Sequence, residues 1–175
     1  MKSLPRELIA SYAVLGISDS VINSCKLPLC LEPEELVDTE LDFYSRPQRL
    51  TPECFQAWTA MKLAAHESGV TIFLISAFRS IAYQHQLIAK KLAAGQSIDA
   101  ILQVNAPPGF SEHHTGRAVD IGTFNCDALV EEFDKTEAFQ WLNNNAEGYG
   151  FSLSYPRDNC FGIAYEPWHW CFKKC

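Results

Sequence analysis

The stretch Ser111-Glu112-His113-His114-Thr115-Gly116-Arg117-Ala118-Val119-Asp120, followed 46 residues later by Glu166-Pro167-Trp168-His169, decides how this chain is read. The two segments offer imidazoles, a carboxylate able to bind a metal, and a second carboxylate able to lie beside it. Those are the components of a catalytic zinc site, in which three protein ligands leave a fourth position open and a carboxylate serves as general base. A fourth protein ligand would close the site and make it structural. The chain is therefore read first as a hydrolase.

The spacing dictates how the backbone must run. His113 and Asp120 are seven residues apart, which rules out the i, i+4 ligand pair of a single helix. Gly116 lies between them, where a turn can fold Asp120 back toward His113. Residues 117–121 read as a short strand, with Val119 and Ile121 on the face opposite Asp120. In the second segment, residues three apart on a regular strand would point to opposite faces. Pro167 cannot donate to a sheet ladder and holds Glu166 in extended or turn geometry. Glu166 is thus expected on the loop before a strand, with His169 at its start and Trp168 and Trp170 packing into the core from the other face.

Taken together, Ser-x-His-x-x-Gly-x-Ala-x-Asp and Glu-x-Trp-His resemble the zinc peptidases that include D-Ala-D-Ala carboxypeptidases, vancomycin-resistance dipeptidases, lysostaphin-type enzymes and hedgehog domains. The likeness is nearest to the D-alanyl-D-alanine carboxypeptidase branch, whose members often carry Pro-Pro-Gly ahead of the first motif, as Pro107-Pro108-Gly109 stands here. The upstream Ser-x-Tyr-Arg-Ser motif of that branch appears as Ser76-Ala77-Phe78-Arg79-Ser80, with Phe78 replacing the usual Tyr and removing its hydroxyl. The resemblance covers residues 50–172. It implies that His113, Asp120 and His169 bind Zn2+, that Glu166 is the base, and that Arg79, Gln84 and Ser111 contact substrate.

Arg79 suits that role. A carboxypeptidase must recognise a free C-terminal carboxylate, and a guanidinium grips one through two parallel charge-assisted hydrogen bonds. Arg79 follows the apolar run 70–75, which reads as a buried strand, and precedes a helix that Ser80 could cap. Gln84 falls in the first turns of that helix, within reach of the same carboxylate or the scissile amide. His114 is expected at the pocket rim, and His66 and His85 as surface or packing residues.

Helical and strand periodicities place these motifs. Residues 4–16, 17–25, 81–94, 97–104 and 136–146 read as helices. Another opens at Thr51-Pro52, ends at Gly69 and carries the apolar stripe Phe55, Trp58, Met61 and Ala65. Residues 151–155 and 168–172 read as paired strands joined by a loop carrying Gly162. Helices and strands are segregated, which predicts an α+β fold with a small antiparallel sheet bearing the zinc.

At 175 residues and 47% hydrophobic, the chain reads as one domain, 1–175, with a helical arm and acidic loop over 1–50 packed on a catalytic core over 51–175. A net charge of −7 argues against nucleic acid and anionic surfaces as partners. The N-terminus lacks the apolar core of a secretory signal, and the seven cysteines form no CxxC pairs, so the expectation is a cytoplasmic monomer with reduced thiols and no membrane contact. The expected substrate is a peptidoglycan peptide or muropeptide. For a cytoplasmic enzyme, trimming the terminal D-Ala of recycled tetrapeptides (an LD bond) avoids destroying D-Ala-D-Ala precursors, so LD cleavage is favoured over DD. A phage-type endolysin and a zinc-bearing binding module are the alternatives from other classes.

Overall fold

A computed structural model describes residues 4–173. In chain order it contains α1 (Arg6–Leu15), α2 (Asp19–Ser24), β1 (Val37–Asp38), β2 (Arg49–Leu50), α3 (Pro52–Glu67), β3 (Phe73–Ser76), α4 (Ile81–Ala93), α5 (Ile98–Gln103), β4 (Ala118–Gly122), α6 (Glu137–Asn145), β5 (Phe151–Leu153) and β6 (His169–Phe172). The larger sheet has the order β3-β4-β6-β5 with every pair antiparallel, and β1 and β2 form a separate two-stranded ribbon. This is the expected α+β arrangement.

Local chemistry sets most of the boundaries. The Ser80 hydroxyl accepts from Tyr83 N–H at 3.0 Å and starts α4, and Thr136 does the same for Phe139 at the start of α6. Thr51 occupies the N-cap of α3 with Pro52 at the first helical position, but its hydroxyl is buried and makes no capping bond. The fully buried face of α3 is Cys54, Trp58, Met61 and Ala65, spaced at helical intervals; Phe55, expected in that stripe, packs only partly against the core. The first strand of the motif region starts later than the apolar run suggests, at Phe73, and β5 stops at Leu153.

Two apolar clusters support the sheet. One packs Trp58, Met61, Leu74, Val119, Leu142 and Trp170 between the sheet, α3 and α6. The other joins the N-terminal segment, through Leu8, Tyr12 and Ile22, to Ile88, Ile101, Phe110 and Tyr155. Tyr12 reaches across to donate to the Pro108 carbonyl at 2.7 Å. No described helix is long and apolar enough to cross a membrane. Cys30, Cys54, Cys126, Cys160 and Cys171 are free thiols; Cys175 lies outside the described residues.

Candidate active site

Three backbone devices bring the motif residues together. A 3-10 turn over Glu112–Thr115 ends at Gly116, whose φ of 64° lies in the left-handed region. A side chain there would be strained, and its Cβ would stand 2.6 Å from Leu36. The chain then reverses into β4, where Val119 and Ile121 enter the core and Asp120 faces the other way, as the alternation predicts. Asp120 and His169 are register partners on neighbouring antiparallel strands, which places their side chains on one face. At the start of β6, His169 N–H donates to the Glu166 carbonyl at 3.1 Å, closing a turn around Pro167 that brings the Glu166 carboxylate to 3.9 Å from His169 Nδ1.

His113, Asp120 and His169 are all buried and present ligand atoms within 4.8 Å of one another. His113 Nδ1–H donates to the Ala77 carbonyl at 2.7 Å, leaving Nε2 to face Asp120 Oδ2 at 3.2 Å. His169 is held the other way round: Nε2–H donates to Glu112 Oε2 at 3.0 Å, and Nδ1 faces Asp120 Oδ1 at 3.0 Å. Each imidazole therefore turns one nitrogen inward and ties the other to an oxygen behind it, the arrangement that orients metal-binding histidines. Two imidazole nitrogens and one carboxylate form a donor set that fits Zn2+ in an open, three-ligand site.

The electrostatics follow from burial and charge. Burial alone would lower the His169 pKa, but its hydrogen bonds to Asp120 and Glu112 outweigh it and hold the value at about 10. Burial lowers His113, against the pull of Asp120. Asp120 is driven well below the carboxylate range by the two imidazoles despite its burial. Glu166 moves the opposite way: burial pushes its carboxyl up to about 7, reinforced by Asp120 and opposed by His169. A carboxyl so placed can both take and return a proton near neutrality.

Arg79, Gln84 and Ser111 share with these residues a cavity of about 430 Å³, which Tyr155 and Trp168 also line. Arg79 Nη1–H donates to Gln84 Oε1 at 3.2 Å, and Gln84 Nε2–H donates to the Ala106 carbonyl at 2.8 Å. The Arg79 backbone is latched to the histidine turn, with its N–H donating to the His113 carbonyl at 3.1 Å and its carbonyl accepting from His114 Nδ1–H at 2.6 Å. Phe78 does not enter this cavity; it lines a neighbouring one, where the Arg49 guanidinium lies 5.1 Å from its ring centroid.

Two placements differ from the sequence expectation. His114 is fully buried and absent from the cavity wall. The local chain is a tight turn rather than extended, and this imidazole braces the Arg79 loop. Burial depresses its pKa to about 4. Its unpartnered Nε2 is then a lone pair rather than a stranded N–H. Trp168 is half-buried, packing against the core cluster as expected but also lining the cavity, while Trp170 is fully buried in that core. Sequence reasoning also passed over Glu112 and Tyr155. Glu112 adjoins His113 but serves His169, a partner 57 residues away. Tyr155 lays its ring against His169 with centroids 4.9 Å apart, and no spacing signals that contact.

Residues 47–174 match the D-alanyl-D-alanine carboxypeptidase (VanY) family. YodJ of Bacillus subtilis, which carries a carboxypeptidase name, is 34% identical over 150 residues, spanning 82% of this chain and 55% of its own. A D-alanyl-D-alanine carboxypeptidase of Enterococcus faecalis is 31% identical over 144 residues, spanning 76% of this chain and 52% of its own. The chain thus spans about half the length of these curated relatives. Among solved structures, the LdcB LD-carboxypeptidase superposes with a TM-score of 0.72 at 32% identity, covering 81% of this chain and 69% of that one. A vancomycin-resistance VanY D,D-pentapeptidase mutant in complex with Zn(II) superposes with a TM-score of 0.62 at 25% identity, covering 85% and 88%.

Proposed function

We propose that this chain, which belongs to the D-alanyl-D-alanine carboxypeptidase family, is a zinc-dependent carboxypeptidase that removes a terminal D-Ala from peptidoglycan stem peptides, preferentially from tetrapeptides released in wall turnover. The observation that carries the reading is a guanidinium, Arg79, set in one cavity with a buried His-Asp-His donor set and a carboxyl raised toward neutrality. Arg79 grips the substrate's terminal carboxylate, with Gln84 fixing the guanidinium and Ser111 orienting the peptide beside His113. His113 Nε2, Asp120 and His169 Nδ1 would hold Zn2+, which would supply there a Lewis acid for the scissile carbonyl and lower a water's pKa to roughly 7. Glu166 takes the proton of the attacking water and returns it to the leaving D-Ala amine.

A binding module has no need of a buried carboxyl beside the donor set or of a guanidinium in the same cavity, and both are present. The likeness to LdcB supports the LD bond, and the likeness to VanY keeps the DD bond as the alternative. The deciding experiment is mass spectrometry of purified tri-, tetra- and pentapeptide muropeptides after incubation with the zinc-loaded protein. Tetrapeptides should each lose one D-Ala to give tripeptides. Loss confined to pentapeptides would make the enzyme a DD-carboxypeptidase. Inert muropeptides at full zinc occupancy would overturn the enzymatic reading.

A further inference from the structure

The cavity that contains Arg79 carries a second cation. Gln84, Leu87 and Lys91 recur at helical spacing along one face of α4, and all three line the cavity. The seven-residue step from Gln84 to Lys91 covers about 10 Å at 1.5 Å per residue. Lys91 Nζ donates to Asn105 Oδ1 at 3.2 Å, and Asn105 is itself anchored by donating to the Ile101 carbonyl at 2.9 Å, so the ammonium is tied to the wall. A cation near a helix C-terminus can simply answer the helix dipole. Its exposed neighbour Lys90, in the same turn, is free to do that without entering the cavity.

Neither Arg79 nor Lys91 forms an ion pair among the described residues. Burial, and after it the Arg79 charge, lower the Lys91 pKa, as expected of one cation placed near another. Asp120 and Glu166 line the same cavity and Glu166 feels the Arg79 charge, but neither comes within ion-pair distance of Arg79 or Lys91. In a chain of net charge −7, the two cations therefore mark a place for anionic groups of a ligand.

Building on the carboxypeptidase reading, we propose that Lys91 binds a second substrate carboxylate, carried on the side chain of the residue that precedes the scissile bond. Because the Arg79 guanidinium bonds Gln84, that rise of about 10 Å along α4 sets the order of the spacing between the two cation sites, roughly three residues of extended chain. That reach suits a path from the terminal carboxylate across one peptide unit and out along a long side chain. The preferred stem peptide then contains a diamino acid bearing a free side-chain carboxylate, such as meso-diaminopimelate, rather than lysine.

The test compares kcat/KM of the zinc-loaded enzyme on two synthetic tetrapeptides that differ only in diaminopimelate or lysine at the third position. The wild type should favour diaminopimelate by about tenfold, the lower range for a hydrogen bond to a charged group. Amidating that side-chain carboxylate should abolish the advantage. Lys91→Met should bring the ratio close to one, and Lys91→Arg should preserve most of it. Because the readout is a ratio, a folding defect that lowers both rates leaves it unchanged. Equal cleavage of both peptides by the wild type overturns this inference and leaves the carboxypeptidase reading standing. A preference that survives Lys91→Met removes the role from Lys91, and cleavage of neither peptide overturns both readings.

Discussion

The wall that carries His113, Asp120 and His169 and the wall that carries Arg79, Gln84 and Lys91 face one cavity but are built from different materials. On the first, the side chains are only 3–5% exposed and two of the three stand on paired strands. Each imidazole there has an oxygen partner at 2.7–3.0 Å behind it. On the second, the groups come from a loop and a helix face, and the Arg79 head is held by contacts of 3.2 and 3.5 Å. The donor wall is pre-organised by sheet ladders and burial. On the recognition wall Gln84 is equally buried and held at 2.8 Å to the Ala106 carbonyl, whereas the Arg79 and Lys91 heads rest on contacts of 3.2 Å or longer that leave them room to adjust to a ligand. Substitutions on the donor wall should therefore act nearly all-or-none, and those on the recognition wall should be graded and substrate-dependent.

The sharpest break would come within the donor wall. His113→Ala and His169→Ala should each lose zinc, with activity following, whereas Glu166→Gln should keep zinc and fold while losing at least about 10²-fold in turnover, the scale of a general base. Metal analysis beside kcat separates the two behaviours. Full zinc content in both histidine variants would dissolve the distinction between the walls, and near-normal turnover in Glu166→Gln would remove Glu166 from its role.

A smaller, conditional effect is expected at Arg79. Amidating the substrate C-terminus should cost the wild type about 1.5–3 kcal/mol in transition-state binding, the range for hydrogen bonds to a charged group. Arg79→Ala should lose a similar amount on the free acid and little more on the amide, because the partner is already gone. Lys in its place should recover only part, lacking the two-pronged geometry. Equal cleavage of free-acid and amidated tetrapeptides by the wild type would turn the assignment toward an endopeptidase.

The smallest effect sits behind the donor wall, at Glu112. Glu112→Ala should weaken zinc binding by about 10–100-fold, as loss of an orienting partner does, with Glu112→Gln recovering part because its amide oxygen can still accept from His169 Nε2–H. A second readout follows from the proton count. With its pKa held at about 10 by Asp120 and Glu112 against the opposing effect of burial, His169 is protonated at pH 7 in zinc-free protein. Zinc uptake by the wild type should then release about one proton. Removing Glu112 takes away one of the two carboxylates that raise this pKa, so proton release should fall. Calorimetry in buffers of different ionisation enthalpy measures it, and an unchanged count with unchanged affinity would reduce Glu112 to a bystander.

Much of the donor wall was legible because its constraints are local. Gly116 supplies the turn, alternation along β4 sends Val119 and Asp120 to opposite faces, and Pro167 forces a bend that lets Glu166 and His169 share a side. Arg79 and Gln84 could be placed from a strand followed by a capped helix. The parts that escaped depend on contacts between distant segments. His114 reads as a pocket-rim residue until the tight turn buries it behind Arg79. Trp168 reads as core alone, yet it packs against the core with one part and lines the cavity with another.

By itself the sequence determined the kinds of atoms available and their local direction: two imidazoles and two carboxylates on short, turn-bounded segments, and a guanidinium at a strand end. Tertiary structure alone decided which nitrogen each imidazole turns inward, because that choice depends on the oxygen behind it, the Ala77 carbonyl for His113 and the Glu112 carboxylate for His169. It also decided that Lys91 joins Arg79 in one cavity, since a helix face acquires a meaning only from what the rest of the fold packs opposite it. Hydrogen-bond direction and shared enclosure are properties of pairs brought together across the chain, and no single segment encodes them.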